Sequence, residues 1–213
     1  MREFDAVIFD LDGVICHTDE YHYQAWKAMA DGIGVRFDRK INNRLRGVSR
    51  MESLDIVLEN YHGELSEAEK NELADQKNEL YKKLLARMSP ADLSEEVKST
   101  LGELRRRGYL LAIGSSSKNA PFILRQIGLE GYFDAVSDGN NITRSKPDPE
   151  VFEKAAKMLL TDAGRCLVVE DAVSGAEAAH RGGMRCACVG DAASAGAGDY
   201  QLKSVKELLE ILP

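Results

Sequence analysis

Short apolar runs alternate along the chain with longer stretches in which apolar residues recur every third or fourth position, a pattern that predicts a parallel β-sheet with covering helices. The runs define five strands: Ala6 to Phe9, Leu110 to Gly114, Ala135 to Ser137, Leu167 to Glu170 and Arg185 to Val189. Val97, Leu101 and Leu104 mark the inner face of one helix, stopped by Gly108, and Phe122, Ile123 and Ile127 that of another, stopped by Gly128. Each unit reads strand, then helix.

The first interval breaks this rhythm. Roughly a hundred residues separate the first strand from the second, too many for a simple crossover. Tyr21 to Asp31 and Met51 to Tyr61 have helical patterns, and Ser66-Glu67-Ala68-Glu69 is a capping box that opens a long polar helix toward Met88. The expected organisation is an α/β core of residues 1–14 and 90–213 with a helical domain, 15–89, inserted after the first strand and returning near Ser89-Pro90. Ala192 to Gly198 reads as a loop of small residues.

With 44% hydrophobic residues, the chain has enough apolar material to close a core and does not have the composition of a disordered protein. The 28 basic and 35 acidic residues leave a net charge of −7, which argues against a general binder of nucleic acid or acidic membrane. An anionic ligand must therefore be held by a local cluster. Cys16, Cys166, Cys186 and Cys188 have no CxxC spacing and are expected to be reduced and buried, the last two pointing to one face of a strand. The N-terminal segment lacks the basic start and apolar run of a signal peptide, and no apolar stretch reaches the roughly 18 residues of a membrane span. The expectation is a soluble, cytoplasmic monomer.

Candidate chemistry gathers at strand ends. Asp10-Leu11-Asp12-Gly13 ends the first strand, and alternation points both carboxylates the same way, beyond the carboxyl end where open α/β sheets bind ligands. Paired carboxylates there suit a hard cation such as Mg2+, and one beside it can serve as nucleophile in phosphoryl transfer. The second strand delivers Ser115, followed by Ser116, Ser117, Lys118 and Asn119 at a helix start able to hold phosphate oxygens. Ser145-Lys146-Pro147 follows the third strand, and Glu170-Asp171 ends the fourth.

This ordered set resembles the four motifs of the haloacid dehalogenase superfamily, the aspartate-nucleophile phosphotransferases, along the whole chain. The resemblance implies a Rossmann-like core and Mg2+ held by Asp10, Asp12, Glu170 and Asp171. Asp10 would then be the nucleophile, Asp12 the general acid and base, and Ser115 and Lys146 would hold the transferring phosphate. Within the superfamily the inserted helices resemble the cap of the β-phosphoglucomutase branch, which implies interconversion of β-glucose 1-phosphate and glucose 6-phosphate through β-glucose 1,6-bisphosphate. On that resemblance Arg50, Ser117, Lys118 and Asn119 hold the distal phosphate, while Trp26, Val48, Ser53 and Lys77 contact the sugar. His22 orients the acid/base, and Thr18, Gly47, Ser49 and Ser116 fall in the same substrate-contacting stretches. Taken singly, Trp26 reads as a core anchor and Arg50 or Lys77 as surface charges. A sugar-phosphate phosphatase with the same two aspartates is the main alternative, and a non-catalytic sugar-phosphate sensor a second. His17, and Ser94-Glu95-Glu96 where relatives commonly have Pro-Gly, depart from the family pattern at positions bearing on hinge behaviour.

Overall fold

A computed structural model describes residues 2–213. Its centre is a six-stranded parallel sheet: β1 (Ala6–Phe9), β2 (Leu110–Gly114), β3 (Ala135–Ser137), β4 (Cys166–Glu170), β5 (Arg185–Cys188) and β6 (Tyr200–Gln201) in the order β3-β2-β1-β4-β5-β6. The strand order reverses at β1, which pairs with β2 on one side and β4 on the other, so the crevice beyond β1 and β4 is the topological switch point.

Strand alternation sorts the core into two layers. Val7, Phe9, Leu111, Ile113, Leu167 and Val169 face one side, and Ala6, Ile8, Ala112, Cys166, Val168 and Cys186 the other. The helices follow in chain order: α1 (Asp19–Gly32), α2 (Arg39–Asn43), α3 (Arg50–Leu58), α4 (Glu67–Leu85), α5 (Glu95–Arg106), α6 (Ala120–Gln126), α7 (Glu150–Met158), α8 (Val173–Arg181), α9 (Gly190–Ser194) and α10 (Leu208–Ile211). α5 and α6 cover the first layer; α7 and α8 cover the second. Gly114 lets Phe152 of α7 lie flat on the sheet, since a Cβ there would come within 2.6 Å of its ring.

α1 to α4 lie between β1 and β2 and share their own apolar cluster of Trp26, Met29, Val35, Phe37, Leu54 and Val57. The expected capping box is present: Ser66 accepts from the Glu69 backbone N–H, and the Glu69 carboxylate accepts from the Ser66 N–H. α4 nevertheless stops at Leu85, three residues short of Met88. Ser49 and Glu52 form a second capping box at α3.

Two readings of the C-terminal region need correction. Ala192 to Gly198 is not simply a loop: Gly190–Ser194 is helical, Ala192 is fully buried, and β6 follows. Alanines carry no apolar periodicity to announce a helix, although alanine is the strongest helix former. β5 ends at Cys188, one residue before Val189, and β4 begins one residue earlier, at Cys166. All four cysteines are free and buried, and the Cys186 and Cys188 sulfurs lie 3.6 Å apart on one strand face. No helix among the described residues is long and apolar enough to cross a membrane.

Candidate active site

The crevice beyond β1 and β4 opens into a cavity of about 440 Å3 between the sheet's carboxyl end and helices α1 to α4. From the sheet side come Asp10 and Asp12 after β1, Ser115 to Asn119 after β2, Ser145 after β3, and Glu170 and Asp171 at the end of β4. From the helical side come His22 and Trp26 on α1, Gly47 to Ser49 in the loop after α2, Arg50 and Ser53 on α3, and Lys77 on α4. Two expected site residues sit behind this wall. Lys146 is 1% exposed beneath Asp10, and Thr18, also 1% exposed, donates its hydroxyl hydrogen bond to Asp12.

Lys146 organises the floor. Its Nζ donates to Asp10 Oδ1 and to Glu170 Oε1, both at 2.5 Å, while Glu170 Oε2 accepts from the backbone N–H groups of Asp171 and Ala172 at 2.9 Å. The Lys146–Pro147 peptide is cis. Burial by itself disfavours the Lys146 ammonium, but attraction to Asp10 and Glu170 outweighs it and the lysine stays charged well above its ordinary range. Burial pushes Asp10 well above the usual carboxylate range despite the pull of Lys146. Asp171 is raised to about 7 by burial and by neighbouring Glu170.

These carboxylates are short of positive charge. One oxygen each of Asp10, Glu170 and Asp171 lies within 4.8 Å of the others, an all-oxygen donor set suited to a hard divalent cation. The surrounding backbone keeps the space open: a Cβ on Gly13, which has φ +104°, would fall on the Asp171 carboxylate, and one on Gly175 would fall on that of Glu170. Asp12 is raised to about 6 by burial, against the Thr18 hydrogen bond.

The helical wall carries its own buried titratable pair. Lys77 Nζ lies 3.0 Å from His22 Nδ1 and 4.7 and 4.4 Å from the Trp26 and Tyr81 ring centroids. Burial, then Lys77 and Arg50, hold His22 well below its usual range, so the imidazole is neutral, with Nδ1 in hydrogen-bond contact with Lys77. Burial and Arg50 lower Lys77 to about 7. Trp26, 2% exposed, is at once a core anchor of the inserted helices and part of the cavity wall.

Polar contacts cross the cavity. Asn119 Nδ2 donates to Asn78 Oδ1 at 3.0 Å, and Ser145 Oγ donates to Glu52 at 2.5 Å. Arg46 pairs with Asp19 on α1 and reaches Asp191 at 3.0 Å and Asp171 at 3.5 Å. Arg46, like Asn42 in the same wall, was not expected at the site; a lone Asn in a short polar helix, or a lone Arg in the turn after it, has no spacing signal that separates it from a solvated surface residue.

A family model for haloacid dehalogenase-like hydrolases matches residues 4–183. The chain belongs to that family. Among relatives in the family, the β-phosphoglucomutase of Bacillus subtilis is 39% identical over 210 residues, 97% of this chain and 93% of that protein. A phosphorylated carbohydrates phosphatase of Thermotoga maritima is 31% identical over 183 residues, 84% of this chain and 82% of that protein. Among solved structures, a β-phosphoglucomutase from Clostridium difficile superposes with a TM-score of 0.91 at 35% identity, covering 96% of this chain and 93% of the other. A haloacid dehalogenase-like enzyme is therefore the frame for the acids at the floor of the cavity.

Proposed function

We propose that the chain is a phosphomutase that interconverts β-D-glucose 1-phosphate and D-glucose 6-phosphate, with an aspartyl-phosphate on Asp10 and β-glucose 1,6-bisphosphate as the exchanging intermediate. The observation that carries this reading is a cavity with two sets of anion-holding groups. Ser115 and a cation on the Lys146-braced acids would hold one phosphate; Arg50, Ser117, Lys118 and Asn119, which line the same cavity, would hold the other. A phosphatase needs the first set alone, whereas a mutase must also hold the phosphate that is not reacting. The near full-length likeness to β-phosphoglucomutases supports the same choice.

In this mechanism Asp10 Oδ attacks the phosphorus of the bisphosphate, the bond to the sugar oxygen breaks, and the sugar oxygen takes a proton. In the return step a sugar hydroxyl attacks the phosphoryl group on Asp10 and loses its proton. Asp12 is placed to give and receive these protons, and a carboxyl near 6 populates both states at neutral pH. Its tie to Thr18, the residue immediately before α1, links its orientation to the attachment of the helical cap. Ser115 is placed to hold a phosphoryl oxygen, and Lys146, buried behind Asp10, contributes positive charge from beneath the reacting carboxylate, where most of the catalysis of such transfers resides. Mg2+ held by Asp10, Glu170 and Asp171, with Asp12 beside them, would supply further charge neutralisation. Arg50 offers a fork that matches a phosphate bidentately. Neutral His22, with Nδ1 engaged by Lys77, leaves Nε2 free to orient the acid/base. With both phosphates engaged, the helical wall over the floor would exclude water, the competing acceptor.

A coupled assay with Mg2+, β-glucose 1-phosphate and a trace of glucose 1,6-bisphosphate tests the reading by following glucose 6-phosphate and inorganic phosphate together. Glucose 6-phosphate in large excess over phosphate is expected. Phosphate as the main product would assign the chain to the sugar-phosphate phosphatases instead.

A further inference from the structure

Asn42 is the last but one residue of α2 and lies in the cavity wall with Trp26, Leu45 and Ser53. It is 7% exposed, and its Oδ1 is buried with no hydrogen-bond donor. A buried amide oxygen left unpaired is costly, so natural structures seldom keep one without a use. Local structure gives Asn42 no use: the α2 N-cap is supplied by Asp38, whose side chain accepts from the Ile41 N–H, and the Asn42 backbone N–H bonds to the Asp38 carbonyl. The other orphaned oxygen in this wall, Ser116 Oγ, lies on the sheet side, among the phosphate-holding residues. Asn42 stands on the opposite side, on the helical wall that also carries Trp26 and Ser53.

We infer that Asn42 is a specificity-determining residue whose side-chain amide oxygen accepts a hydrogen bond from a ring hydroxyl of the sugar phosphate. The inference rests on the sugar-phosphate reading above. A pocket built around an acceptor discriminates strongly against a ligand lacking the matching hydroxyl, because the polar group is then buried unpaired. The phosphates anchor the two ends of the ligand, and Asn42 tests what lies between them.

The experiment measures binding of glucose 6-phosphate and its monodeoxy analogues by calorimetry to the Mg2+-loaded wild type, Asn42→Leu and Asn42→Asp. Product ratios are measured separately in the coupled assay. The wild type should lose about tenfold in affinity for one analogue. Asn42→Leu should bind glucose 6-phosphate about tenfold more weakly and bind that analogue no worse than the parent. Asn42→Asp keeps an acceptor of the same shape and should restore the discrimination, a rescue that a purely structural role would not give. Additive losses for every analogue in Asn42→Leu, or wild-type affinities throughout, would overturn the role of Asn42. Lost discrimination at Asn42 together with phosphate as the main product would uphold the inference and overturn only the mutase reading.

Discussion

Replacing Lys146 with methionine isolates the contribution of one buried charge to the architecture of the floor. Methionine fills most of the same volume, so the change is chiefly electrostatic: Asp10 and Glu170, each 2.5 Å from Nζ, are left buried with no counter-charge. Removing one partner of a buried pair costs about 3–5 kcal/mol. At about 2–4 °C per kcal/mol for a chain of this size, the loss in Tm is about 6–20 °C. Its pH dependence has a definite sign. Lys146 pulls the Asp10 carboxyl down while burial pushes it up, so the variant's folded state binds the Asp10 proton more tightly than the wild type does. A carboxyl raised in the folded state destabilises as pH climbs from its unfolded value toward its folded one. The deficit should therefore be larger at pH 8 than at pH 5. Thermal unfolding followed by far-ultraviolet circular dichroism in chelator-containing buffer measures it, with Lys98→Met, at an exposed lysine, as the charge-matched control. A Tm within about 2 °C of wild type at pH 8, or a larger deficit at pH 5, would refute the reasoning.

Asp10→Asn should abolish turnover in the coupled assay while leaving the fold intact, and measurable glucose 6-phosphate formation would remove Asp10 as nucleophile. Gly175→Ala places a methyl group on the Glu170 carboxylate, and titration calorimetry should show Mg2+ affinity reduced at least about tenfold. Arg50→Ala should depress the mutase rate more than the hydrolysis of a small phosphate ester; equal losses would argue against a distal-phosphate role. Lys77, lowered to about 7 in the fold, binds fewer protons there than in the unfolded chain, so its cost to stability is full below that pH and fades as pH rises toward its ordinary value. Lys77→Met should thus gain more, or lose less, relative to wild type at pH 6 than at pH 9, as read from urea midpoints.

The parallel sheet was legible because each central strand is apolar on both faces and bounded by a glycine or a charged residue, and β1, β2 and β3 fall where their runs predict. The acids were legible for a related reason: a carboxylate that ends an apolar run lies at the ligand-binding edge of such a sheet. α9 and β6 were not, since Gly190 to Gly198 is built of small residues with no apolar periodicity, of which only Ala192 is fully buried, with Gly198 set close against Cys188. At the site, strand alternation places Asp10 and Asp12 but says nothing of depth. That Lys146 and Thr18 stand behind the acids and not beside the cavity follows from long-range contacts that no local pattern carries. Asn42 and Arg46 went unread on the same ground.

The contacts across the cavity differ in kind from those inside either half. Phe9 and Val169 in the sheet, and Trp26 and Leu54 among the inserted helices, are held by apolar burial. Near the acids the two sides meet through Asn119 with Asn78, Ser145 with Glu52, and Arg46 with Asp171 and Asp191, all polar and mostly part-exposed. Exposed ion pairs contribute about 0–1 kcal/mol each. These links register one side against the other near the acids, while Tyr81, Leu84 and Leu85 of α4 join the apolar cluster of the sheet and tie the two halves together away from the cavity. A ligand whose phosphates engage Ser115 on the floor and Arg50 on the helical wall adds charge-assisted bonds at both ends and so biases the pair toward closure. Free phosphate engages only one end and gains less. On the proposed mechanism, exclusion of water then depends on a ligand that spans the cavity, the condition under which a phosphorylated Asp10 would meet a sugar hydroxyl before solvent.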